Sequence, residues 1–199
     1  MPDTAMPDNK AYIDWTDEDY NGFGRSVQRL THSYHTLPIF QQPALITLLD
    51  SYPRQHLQAF TMGHDPCRRE EWKTVDIPTY ATGQDIWQAV EKGRYWLNIT
   101  GISRFSADFA NLLTTMYEHL GERCHHLPAM RSDFGNLLIS SPGSQLYYHL
   151  DAAPNMLWNL RGTERFWIYP AMDLRFAPKP ILKRLWQAKL MKNCPIIRV

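Results

Sequence analysis

The run from Asn136 to Pro170 constrains this chain most, because it holds three short apolar stretches separated by turn signals. Leu137–Ser140, Met156–Leu160 and Arg165–Pro170 are dominated by aliphatic and aromatic residues. Pro142-Gly143, Ala152-Ala153-Pro154 and Arg161-Gly162 break them apart. Short runs of this kind between such breakers predict strands joined by tight turns. Between the first two lies His149-Leu150-Asp151. Side chains two apart on a strand share a face, so an imidazole and a carboxylate would project together, as two ligands of a metal ion do. Taken alone, the triplet is better read as an ordinary hydrogen-bonded His–Asp pair on a strand.

Upstream the periodicity changes. From Pro43, Leu45, Leu48, Leu49 and Tyr52 share one face, so a helix is predicted up to the break at Pro53. His56–Met62 predicts a strand, and the polar stretch after it a connection, with His64 and Cys67 as surface loop residues or a metal half-site. Thr82, with Asp85 three residues on, marks a helix start, and Gly93 its end. The segment 94–102 reads as a strand. Ser106 then opens the clearest helix, in which Phe109, Leu112, Leu113, Met116, Tyr117 and Leu120 form one core-facing stripe closed by Gly121. Cys124-His125-His126 offers three metal-type donors in a row, but neighbours in sequence cannot easily converge on one ion.

The run containing His149, Asp151, Asn155, Gly162, Arg165-Phe166 and Tyr169-Pro170 resembles the JmjC and cupin-like branch of the Fe(II)/2-oxoglutarate oxygenases. A weaker resemblance reaches back to about Gln84 and forward to Phe176. It implies an α+β fold: helices packed around a cupin-like double-stranded β-helix, or jelly roll. Iron would be held by two His and one carboxylate, leaving positions for 2-oxoglutarate and oxygen. His149 and Asp151 fall on the first two ligand positions, and Asn155 on a polar position that contacts 2-oxoglutarate in related hydroxylases. The implied reaction is hydroxylation of a protein or small molecule.

Three departures qualify that expectation. No His follows His149, although the family's third ligand lies several tens of residues downstream. Glu164 stands where many relatives have a Lys that pairs with 2-oxoglutarate, and a carboxylate there would repel the cosubstrate. Leu146 stands where a Thr or Ser is usual. Only the first half of a jelly roll is expected, with its C-terminal half missing, catalysis impaired, and an open sheet edge through which two copies could pair. The alternative is a non-catalytic cupin-like binding or regulatory module, with Trp158 and Trp167 as wall residues.

Organisation and composition set the remaining expectations. With 199 residues, 44% of them hydrophobic, and seven Trp, the chain has material for a real core. We read 1–20 as a loosely held start, 21–130 as mixed α/β and 131–178 as the partial jelly roll. The tail 179–199 differs in kind. It holds six basic residues and no acidic one, leaving fifteen basic against twenty acidic elsewhere. Two origins fit it: a frameshift near Lys179, since permitted codons in the neighbouring frame give an acidic segment like that of the relatives, or a genuine basic amphipathic helix over the open sheet. A net charge of +1 gives no reason to expect nucleic acid or an anionic membrane as partner. Three scattered Cys and a polar start point to a cytoplasmic protein.

Overall fold

The computed structural model describes residues 12–65, 67–126, 135–147, 149, 156–170, 173–176 and 179–180, and the backbone of Ile196–Arg198. Among the described residues, five α-helices accompany a single sheet. Helix α1 (Asp17–Gly22) starts in a capping box, in which the Thr16 hydroxyl accepts from the Asp19 amide and the Asp19 carboxylate accepts from the Thr16 amide. Tyr20 of α1 is buried, its hydroxyl 2.9 Å from His119 Nε2, with the Arg123 guanidinium 4.4 Å from its ring centre. Ile13 is buried too and bridges His32 in antiparallel fashion. Ile13 and Tyr20 are thus packed within the part of the expected loose start that is described, while residues 1–11 lie outside the described residues. These two apolar side chains, set among aspartates, are what hold the described part.

Helix α2 (Gln42–Ser51) carries Pro43 in its first turn and buries Leu45 and Leu49 completely. Helix α3 (Gly83–Lys92) opens on the Thr82–Asp85 pair, here a full capping box, and stops at Gly93. A short α4 (Ile102–Phe105) leads into α5 (Ala107–Arg123). Ser106 precedes α5 as read, but its hydroxyl makes no capping bond. Gly121 does not end the helix, which runs on to Arg123. Continuing buries Leu120 and Cys124 against Tyr20. Burying an apolar side chain stabilises by roughly 1.5–3 kcal/mol, more than the ~1 kcal/mol a helical glycine costs.

The sheet has the order β2-β1-β3-β4-β5. Strands β1 (Leu57–Thr61), β2 (Thr74–Val75), β3 (Tyr95–Ile99) and β4 (Asn136–Ser140) pair antiparallel, and β5 (Ile196–Arg198) runs parallel to β4. Register places Ala59 opposite Leu97 and Leu97 opposite Ile139. These three join Leu57, Ile99 and Leu137 in the core with α2, α3 and α5. The mixed helix-and-sheet class read from the sequence is present.

Two expected strands differ. Residues 156–160 contribute only a bridge residue at Asn159, and 163–170 join no ladder. Trp158 is not a wall residue: it is buried edge-on against Tyr34 and His32. The apolar side chains that follow find no such cover, with Trp167 68% and Ile168 64% exposed. Among the described residues no helix is long and apolar enough to cross a membrane.

Candidate functional site

Strand alternation gives the sheet a second face, away from the helices. Phe60 pairs with Trp96, and Trp96 with Ser140; Gln58 pairs with Asn98, and Asn98 with Leu138. These residues have the opposite parity to Ala59, Leu97 and Ile139, so they point the other way. Leu138 is buried yet lies outside the core formed with the helices.

An aromatic wall stands on this face. The Phe60 and Trp96 rings are 5.2 Å apart, Trp72 lies 6.1 Å from Trp96, and Tyr147 meets Trp72 at 4.7 Å in a T-shaped contact. The Arg69 guanidinium sits 5.4 Å from the Tyr147 ring centre. His149 extends the row, its ring 5.8 Å from that of Tyr147. Beside it the Asn98 amide donates to Gln58 Oε1 at 3.1 Å. The indole N–H groups of Trp72 and Trp96 and the side-chain oxygen of Asn98 are buried without a hydrogen-bond partner. A buried polar atom left unpaired costs roughly 1–3 kcal/mol, so these three atoms call for water or a ligand.

His149 is exposed, and its Nδ1 lies 2.9 Å from the Tyr147 carbonyl oxygen. Donation of Nδ1–H to a carbonyl orients the ring and makes Nε2 the coordinating atom, the usual arrangement for a metal-bound imidazole. Asp151 and Asn155, the other two site residues read from the sequence, lie outside the described residues. Among the described residues no group of three His, Cys, Asp or Glu is placed to hold a metal ion.

The remaining candidates are not drawn into this face. Arg161 stacks over Trp87 of α3 at 5.6 Å. His64 and Cys67 sit exposed in the loop after β1. Cys124 is buried with its thiol toward the Tyr20 carbonyl, and burial raises its pKa, so it stays a neutral thiol. His126 turns instead to the Phe23 carbonyl at 2.9 Å. Cys124 and His126 therefore make no common site.

Sequence reasoning did not single out Phe60, Trp72, Trp96 and Tyr147 as a wall. A signal was there for part of it: in β3, Trp96 and Asn98 alternate with Leu97 and Ile99, marking a second lined face. Nothing in spacing tied Trp72 or Tyr147 to it. No protein-family model matches the chain, and neither a characterised protein nor a solved structure is significantly similar to it.

Proposed function

We propose that this chain is a cupin-like, JmjC-type protein of the Fe(II)/2-oxoglutarate oxygenase lineage. His149 and Asp151 are two of its iron ligands, and Asn155 a contact to 2-oxoglutarate. The supporting observation is His149 itself. It extends an aromatic row through Tyr147 and is oriented through Nδ1, while the same row holds buried polar atoms on Trp72 and Trp96 that have no hydrogen-bond partner among the described residues. In a double-stranded β-helix the helix-free face is the one turned toward the facing sheet. Residues 166–169 lie exposed outside the sheet, and a second copy of the chain is the partner this reading gives them.

Iron with 2-oxoglutarate bound would supply oxidative hydroxylation. The chain's own part is positional. Tyr147 fixes the imidazole through its carbonyl. Phe60, Trp72, Trp96 and Tyr147 give a low-dielectric wall, against which a substrate would be held away from water. The two indole N–H groups and Asn98 offer donors and an acceptor for a polar group on a protein or small-molecule substrate. His149 and Asp151 come from one short segment, and a pair of ligands from one segment would by itself hold iron weakly.

The second reading is a non-catalytic cupin-like binding module. The exposure of His149 and of Trp167 favours it, since both present surface for contact rather than an enclosed centre. Succinate release from 2-oxoglutarate, followed anaerobically and then in air with added Fe(II), separates the two. Iron-dependent succinate that disappears in His149→Ala supports the oxygenase. No iron-dependent succinate at any iron level removes catalysis and leaves the binding module.

A further inference from the structure

A cleft of about 330 Å³ opens between the turn after Leu160 and the start of α2, and none of the aromatic-wall residues nor His149 lines it. Phe40 and Leu160 give it an apolar floor, and Arg161, His35, Gln41 and Gln42 supply its polar lining. No carboxylate lines it. We propose that this cleft binds a small organic anion, whose carboxylate or phosphate group meets Arg161 and whose apolar part rests on Phe40 and Leu160.

Three observations carry the assignment independently of the oxygenase reading. The first is the volume, which falls at the lower end of the ~300–1,000 Å³ typical of small-ligand sites and suits a molecule of a few carbons. The second is Arg161. Its guanidinium lies over the Trp87 ring and faces no carboxylate among the described residues. Stacking on an indole fixes the plane of the guanidinium while leaving its N–H edge available for a planar anion. Gly162, at φ 79°, makes the bend that carries Arg161 back toward Trp87. The third is the polar rim. His35 makes no side-chain hydrogen bond among the described residues, and Gln41 donates only to the His35 carbonyl, at 3.3 Å. The ten-residue α2 begins beside them with no side-chain cap, so its first amides add positive character to a cleft already cationic.

The probes are succinate and inorganic phosphate, titrated at constant ionic strength into the full chain. The readouts are Trp fluorescence, which reports on Trp87, and the amide NMR shifts of residues 41–44. The expected result is saturable binding of one probe, with succinate ahead if the anion is a carboxylate and phosphate ahead if it is a phosphoryl group. Arg161→Leu should weaken binding by roughly ten-fold or more, as loss of a charge-assisted contact does. Because Arg161→Leu also alters the contact with Trp87, Gln42→Glu is the second variant. A carboxylate at a helix start favours the helix, so this chain should melt no lower than the parent, yet a negative charge in the cleft should abolish binding. Binding that follows ionic strength alone, or that survives both substitutions, overturns the proposal, as does saturation with neither probe.

Discussion

Leu49 and Trp167 are both large and apolar, and the structure treats them in opposite ways. Leu49 is fully buried among α2, α3 and the sheet, whereas Trp167 is 68% exposed. The same contrast separates two regions. Residues 12–126 with β4 supply most of the core, in which Leu57, Ala59, Leu97, Ile99, Leu137 and Ile139 cluster with helix side chains. Residues 156–170 enter that core only through Trp158 and Leu160, and then leave Phe166, Trp167, Ile168 and Tyr169 at the surface. The difference teaches where the folding free energy resides. The first region carries the stability, and the second leaves a run of large apolar side chains exposed.

The largest expected effect is at the centre of the first region. Leu49→Ala should cost about 3 kcal/mol, within the roughly 2–5 kcal/mol usual for a buried leucine, read from urea unfolding midpoints at constant slope. Gly83→Ala comes next. A β-carbon there would meet the Ile46 carbonyl oxygen and the Asp50 amide nitrogen, forcing α2 and α3 apart, at a cost of roughly 1–3 kcal/mol. The same backbone contact is held by Asp50, whose carboxylate accepts from the Gly83 amide at 2.8 Å.

Thr82→Ala should remove the bonds made by the Thr82 hydroxyl, the one it accepts from the Asp85 amide and the one it donates to the Asp85 carboxylate, for about 1 kcal/mol. A smaller effect, dependent on pH, is expected at His32, which joins the two regions by packing on Trp158. Burial lowers its pKa, so the folded chain takes up its proton less readily than the unfolded one. Stability is then complete above about pH 6.5, the ordinary histidine value, and falls as pH drops from there toward the lower folded value. Melting temperatures between pH 7.5 and 5 should decline more steeply in the parent than in His32→Gln. Trp167→Ala should change stability by no more than about 0.5 kcal/mol, as exposed sites do. It should reduce self-association in sedimentation if the exposed run is where copies meet; unchanged sedimentation removes that role.

The first region was largely legible in the sequence because its signals are local and repeated. The stripe along α5, the Thr82–Asp85 start and the alternation in β3 each fix an element without knowledge of its neighbours. The misjudged points turned on tertiary contacts. Gly121 stays helical because Leu120 and Cys124 find Tyr20. Trp158 reads like a ligand wall by composition and becomes core through Tyr34 and His32. Of the site, His149 was legible as a motif, but the wall beside it joins residues from β1, β3, the β2 loop and the turn after β4. Only the fold brings those together.

Cobalt(II) binding tests the central claim, that His149 and Asp151 form a metal site, most directly. The visible absorption of the Co(II)-loaded full chain reports its ligands without requiring turnover. The account predicts a saturable, weak complex that is lost in both His149→Ala and Asp151→Ala, with both variants folded by circular dichroism. A spectrum unchanged by either substitution, or no complex at all, would contradict it.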